Sequence, residues 1–199
     1  MKLRVSRVVT LALAVGGAAL LAVAATEPKH KYIGVGKCAK LCHKTTKQGK
    51  QLGLWEKSKH AEAYKTLLTD AAKETAKKLG IDAPEKSPKC LKCHATAFDV
   101  ADEWRAESFS AEDGVQCESC HGPGDGYKGK ETMKDKAKAL SLGLVIGDEE
   151  TCLGCHNDTA PSWKPDRYTT KDGKKAGFDY EQMWPKIAHP RPKGGDDEE

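Results

Sequence analysis

A mainly α fold of short helices and loops, with little or no β structure, is what the sequence predicts, and three observations predict it. Eight cysteines fall into four motifs of one kind, spread along the chain. Apolar residues make up only 38% and aromatic residues 6%, too little side chain to build an ordinary core at this length. The stretches between motifs are rich in Ala, Lys, Glu and Leu and poor in β-branched residues, which favours helix over strand.

The first element is N-terminal. Lys2, Arg4 and Arg7 precede an apolar run from Val8 to Ala25 that ends in small residues around Ala22 and Ala24. Residues 1–25 therefore read as a secretory signal peptide, the alternative being an uncleaved anchor, since a run of this length just reaches across a bilayer. Either way the chain is exported, and the mature protein is expected in the periplasm or outside the cell. Three of the 33 basic residues lie in this segment, so the remainder nearly balances the 29 acidic ones. That balance gives no case for a nucleic-acid partner. Local lysine patches could still steer an acidic redox partner.

Residues 26–190 read as one domain organised around Gly114 to Gly124, which holds Cys117, Cys120 and His121 in the order C-x-x-C-H. Two thiols at this spacing can each add across a vinyl group of one porphyrin, and the adjacent histidine then lies under the iron as its proximal ligand. Gly122, Pro123 and Gly124 turn the chain away, so backbone can pass close to a flat ring. Cys90, Cys93 and His94 form a second such site, and Cys152, Cys155 and His156 a third of the same spacing. Cys38, Cys42 and His43 repeat the pattern with one extra spacer residue, which requires the loop to bulge if both sulfurs are to reach one ring. Zinc sites or disulfides would also use paired cysteines, but neither explains a histidine directly after the second cysteine all four times. Four covalently bound c-type haems are the expected cofactors, and their flat apolar surfaces supply the core that the side chains lack.

The segments between sites follow in order. His30, in a short extended lead, sits eight residues before Cys38. Residues 52–79 read as helix, with Gly80 as its terminator and Thr69 and Asp70 able to cap a second segment. His60 lies in this stretch among Ala61, Ala63 and Tyr64, small neighbours that would let a porphyrin approach. Residues 81–89 are a Pro-containing linker, and 95–109 carry Phe98, Trp104 and Phe109 as haem-packing aromatics. Residues 130–140 read as a short helix with Met133 near its start, and 142–146 as an apolar run. Asp148, Glu149 and Glu150 place acid at the start of the helix carrying the last site, matching its dipole. Residues 157–177 read as loop. Asp179 can cap a final helix through Tyr180, Met183, Trp184 and Ile187, shortened at Pro185 and ending at His189. Residues 191–199 read as a disordered acidic tail.

The seven histidines leave an informative shortfall. His43, His94, His121 and His156 are proximal ligands by position. His30, His60 and His189 remain, one fewer than four bis-histidine haems need. Met133 could complete the fourth haem, or one haem could stay five-coordinate, or a neighbouring subunit could rearrange the same seven.

With these residues in view, the chain resembles the cytochrome c-554 family of tetrahaem cytochromes. The resemblance is carried by the site from Cys38 to His43, by Trp55 through Ala61, by Cys90 to His94, by Gly114 to Gly124, by the fourth site at Cys152, and by the late helix ending at His189. It implies a mainly helical fold around closely stacked haems and an electron carrier. It also implies His60 as distal ligand to the haem of His121 and His189 to that of His156. The family has a further distal histidine soon after the Gly-Pro-Gly turn, absent here, with Met133 nearest. It also includes a second-site haem with an open axial position. Two features depart from the pattern: the missing histidine and the wider spacing at Cys38.

The resulting reading is electron transfer between redox partners along four haems. No nucleophile triad, phosphate loop or carboxylate pair points to another chemistry. Two alternatives stand beside it. An open haem could reduce a small nitrogen oxide, hydroxylamine or peroxide, or subunits could assemble into an extracellular filament with His30 on a flexible arm ligating a neighbour.

Overall fold

The computed structural model describes residues 28–189. The expected signal peptide and acidic tail lie outside the described residues. Within them the chain is mainly helical, built from short α-helices joined by 3₁₀ turns, with one two-stranded hairpin. The longest helix, Asp70–Lys78, has nine residues. No helix among the described residues is long and apolar enough to cross a membrane.

The helix expected over 52–79 is broken into Gln51–Trp55, Ala63–Leu67 and Asp70–Lys78. Thr69 does cap the last, its hydroxyl accepting the Ala72 N–H, and Gly80 follows with φ +67°. His60 thus sits on an irregular turn, and long-range contacts explain the break. The His60 carbonyl accepts the Val115 N–H at 3.0 Å, and the Trp55 indole donates to the Val115 carbonyl at 2.8 Å. A Cβ on Gly114 would come within 2.7 Å of the same His60 oxygen, so the turn is pressed onto the strand-like stretch before Cys117. Helix propensity yields here to tertiary packing.

Two further expectations are revised. Residues 130–140 form two helices, Lys130–Met133 and Lys136–Ser141, divided by Asp135, which caps the second. The 157–177 loop contains the hairpin Tyr168–Thr169 with Lys175–Ala176, antiparallel, turned at Gly173 with φ +82°. The final helix is Tyr180–Met183, capped by Asp179 as expected, running into the 3₁₀ turn Trp184–Lys186.

The buried apolar set is small: Ile33, Val35, Leu67, Tyr127 and six alanines. Among them lie Gln116 and Glu118, each only 2% exposed. The Glu118 carboxylate accepts N–H groups from Ile33 (2.9 Å), Gly34 (2.7 Å) and Gly124 (2.7 Å). Gln116 accepts the Val35 N–H at 2.8 Å and donates to the Ser110 carbonyl at 2.7 Å. A buried carboxylate survives only when its lone pairs are filled, and here three backbone donors fill them. Tyr32 adds two backbone bonds of 2.8 Å, donating to Trp104 and accepting from Ala106. The lead that reads from sequence as an extended or flexible arm is therefore docked onto its own chain.

Candidate haem sites

Each attachment motif sits at a short helix or turn. Cys90, Cys93 and His94 lie in Pro88–His94, with Pro88 at its first turn. Cys117 is the N-cap of Glu118–His121, and Gly122 ends that helix with φ +74°. Cys152 lies in Glu149–Leu153, whose start is closed by a capping box in which Asp148 accepts the Thr151 N–H and the Thr151 hydroxyl bonds back. Cys155 and His156 follow directly. The extra residue in the first motif is absorbed as a π-helical turn over Ala39–His43, the form an insertion takes when a helix must gain one residue without losing its axis. All eight cysteines are free thiols and half-buried.

The sites touch one another in a definite order. Cys38 and Cys117 lie side by side; the neighbouring thiol and burial push Cys38 up, while at Cys117 the neighbouring Cys38 outweighs burial and pulls it down. Cys93 lies against Cys155, its sulfur 3.9 Å from the Cys155 carbonyl, while the Cys155 sulfur is 3.6 Å from the Lys92 carbonyl. The hydrogen bond between these two thiols brings Cys93 down to about 7 and raises Cys155. Cys120 links the two pairs. It packs 3.4 Å from where a Cβ on Gly147 would stand, close to Asp148, and it feels the charge of Cys152. Burial pushes Cys120 up to about 11. In space the sites run first, third, fourth, second.

Two histidines are oriented by backbone carbonyls and four are held neutral by burial. His94 Nδ1–H donates to the Ala63 carbonyl at 2.7 Å and His121 Nδ1–H to the Val145 carbonyl at 2.9 Å. A carbonyl can only accept, so each ring carries its proton on Nδ1 and keeps the Nε2 lone pair for a metal. Burial lowers His43, His60, His156 and His189, which holds them in the neutral form that ligates.

Two pairs of rings face each other. His60 and His156 have ring centroids 6.2 Å apart, and His121 and His189 are 5.8 Å apart. Two metal–imidazole bonds in line, each about 2 Å, plus the ring radii give a centroid separation of roughly 6 Å. The residues present therefore fit a haem iron held between two imidazoles. The pairing differs from the one that the resemblance implies: His60 meets His156 rather than His121, and His189 meets His121 rather than His156. The fixed turn at His60 and the stacking of His156 on Phe178, at 4.9 Å, set this arrangement.

His30 and Met133 complete the candidates. The His30 ring lodges against Gly126, within 2.6 Å of where a Cβ there would stand, and 3.6 Å from the corresponding point at Gly143. Met133 ends the helix Lys130–Met133 and is 37% exposed. Of the aromatics, Phe109 meets Tyr32 edge-on at 6.2 Å, within the docked arm.

Beside His94 lies a cavity of about 290 Å³, walled by Leu67, Ala72, Thr75, Ala76, Leu79 and Cys93 among others. His94 is the one histidine in its lining, and no methionine lines it. Leu79, Val145, Ile146 and Leu153 stand between 42% and 51% exposed near the attachment sites, apolar surface that a porphyrin would cover. Gln116 and Glu118 escaped the sequence reading. Their one signal was two polar residues alternating around Cys117 directly before the Gly-Pro-Gly turn.

A family described as cytochrome c554 and c-prime matches residues 37–122. Cytochrome c-554 of Nitrosomonas europaea is 29% identical over 174 residues, covering 75% of this chain and 70% of its own. No solved structure matches.

Proposed function

We propose that this chain, a member of the cytochrome c554 family and so a c-type cytochrome of electron transfer, passes electrons along four covalently held haems in the spatial order first, third, fourth, second. The observation that carries this reading is the contact between attachment sites: Cys38 on Cys117, Cys120 beside Cys152, and Cys93 on Cys155. Bound haem supplies a one-electron couple whose potential follows its axial ligands and burial. The chain's own residues do the rest. Thioether bonds from each cysteine pair would hold one edge of its ring, and Cys38 beside Cys117 and Cys93 beside Cys155 would bring neighbouring edges together. His94 and His121 are oriented through Nδ1, and the pairs His60 with His156 and His121 with His189 supply axial nitrogens on both faces. Family membership implies redox partner proteins and export. The signal at 1–25 supports a periplasmic or extracellular site of action. With residues 31–35 bound to Glu118, Gln116, Trp104 and Ala106, no free arm supports the filament reading.

The resemblance favours a second activity at one end of this wire. The cavity lined by Cys90, Cys93 and His94 would seat the second haem, and the open axial position that the family implies for that haem would take a small exogenous ligand such as nitric oxide.

Haem content by mass and pyridine haemochrome should give four haems per chain. After substoichiometric one-electron reduction, the electron should distribute over all of them faster than it is passed to another molecule. An electron that stays on separate haems, each equilibrating only through collisions, would defeat the wire reading.

A further inference from the structure

We propose that His30 is the second axial ligand of the haem held by Cys38, Cys42 and His43, seated in a cradle that Gly126 keeps open. This rests on the four-haem reading above and assigns the one histidine that it leaves over.

The assignment follows from position. His60 and His189 already face His156 and His121, so His43 and His94 are the proximal histidines without an opposed ring. His30 is not among the residues lining the cavity beside His94. It lies instead on the turn Gly124–Gly126 that follows the third site, and against Gly143. Cys117 of the third site lies beside Cys38 of the first, and Tyr127, next to Gly126 in the chain, is near both cysteines. His30 and the first site therefore occupy the same end of the molecule, eight residues apart in sequence.

Gly126 serves a steric purpose. Its φ lies outside the left-handed range, so backbone conformation does not demand glycine there. Three atoms of the His30 ring stand 2.6–2.7 Å from where a Cβ would be. A side chain at 126 would expel the imidazole.

The arm is indexed to that same turn. Glu118 receives N–H groups from Ile33 and Gly34 on one side and from Gly124 on the other, and Asp125 N–H donates to the Lys31 carbonyl at 3.2 Å. A single buried carboxylate thus fixes His30 relative to the cradle. Glu118 and Gly126 act as positioning residues, and a ligand from the arm stands in where a methionine from 130–133 was the other candidate.

The test uses purified holoprotein with its haem content verified as four per chain. A lower content would count against the parent reading and is seen before any variant is made. In low-temperature EPR of the oxidised protein, His30→Ala should add about one high-spin haem per chain, because an iron that loses its sixth ligand changes spin state. Added imidazole should reverse this. Gly126→Ala, which leaves His30 in place, should produce the same signal. With Cys38→Ala and Cys42→Ala deleting the first haem, His30→Ala should add nothing. An unchanged spin state in His30→Ala with four haems present overturns the proposal. So does a high-spin signal that persists when the first haem is deleted.

Discussion

The two ends of this molecule are built on opposite plans. Around Cys38 and Cys117 the chain makes its own core. Ile33, Val35, Gln116, Glu118 and Tyr127 are buried, and the polar groups among them are paired with backbone. Around Cys93 and Cys155 the chain leaves room. The cavity beside His94 is walled by Ala72, Thr75, Ala76 and Leu79, and Leu79 and Leu153 remain more than 40% exposed. The difference teaches where a cofactor protein spends specific contacts. One end packs its own residues and pairs their polar groups, and the other leaves apolar room beside His94.

The harshest way to break the comparison is to remove the site that joins the ends. Cys117→Ala with Cys120→Ala should leave one haem fewer per chain and strand the first haem, since Cys117 is its contact and Cys120 the link to Cys152. Electron sharing between the first site and the others, followed by transient absorption after a reducing pulse, should slow by orders of magnitude. Sharing at the parent rate would mean that the order of sites is wrong.

Next in size is Glu118→Ala. Three backbone N–H groups would be left buried without acceptors, and since each costs about 1–3 kcal/mol, the loss should be about 3 kcal/mol or more. Glu118→Gln keeps one acceptor oxygen and should lose less. Guanidinium unfolding followed by far-UV circular dichroism gives both values. Equal stability in all three proteins would show that the arm is not held as described.

The open end should respond in affinity rather than in stability. Ala76 is 2% exposed and borders the cavity, so Ala76→Leu fills space beside His94. Nitric oxide binding to the reduced protein should weaken about tenfold or more, which is about 1.4 kcal/mol of binding free energy. The low-spin signals of the other haems should not move. Unchanged ligand binding would place the open position elsewhere.

How much of this was legible beforehand follows from what each feature depends on. The eight cysteines and the histidine after each pair stand out in the sequence because covalent attachment would fix their spacing along the chain. The bulge at Cys38 could be read for the same reason, and it emerged as the π turn Ala39–His43. His60 was legible as a candidate but its partner was not, since the ring it meets depends on a turn held by Gly114 and Val115, far along the chain. The helix over 52–79 failed there too: local propensity favoured continuity, and a distant backbone broke it. The hairpin at 168–176 was missed although Asp172 and Gly173 carry a turn signal. The Glu118 clamp joins residues 33 and 34 to 124, and nothing local announces such a bond.

The smallest effect sharpens the comparison at the fourth site. Asp148 is exposed and caps Glu149–Leu153, its carboxylate accepting the Thr151 N–H at 2.9 Å and the Thr151 hydroxyl at 2.9 Å. These bonds favour the ionised form and hold its pKa below the usual carboxylate value, the Thr151 backbone contributing most. A group depressed in the folded state stabilises above its unfolded pKa, and that contribution fades as pH falls through the folded one. Asp148→Ala should therefore lower the melting temperature by only a few degrees at neutral pH. The difference from the parent should begin to close below the ordinary aspartate value and vanish below the depressed folded-state one. Because the cap touches neither axial ligand, the spin state of every haem should be unchanged. A melting difference that persists in acid would mean that Asp148 acts through something other than its charge. A change in spin state would mean that the helix start positions His156, and the loosely built end would then share the fixed geometry of the other.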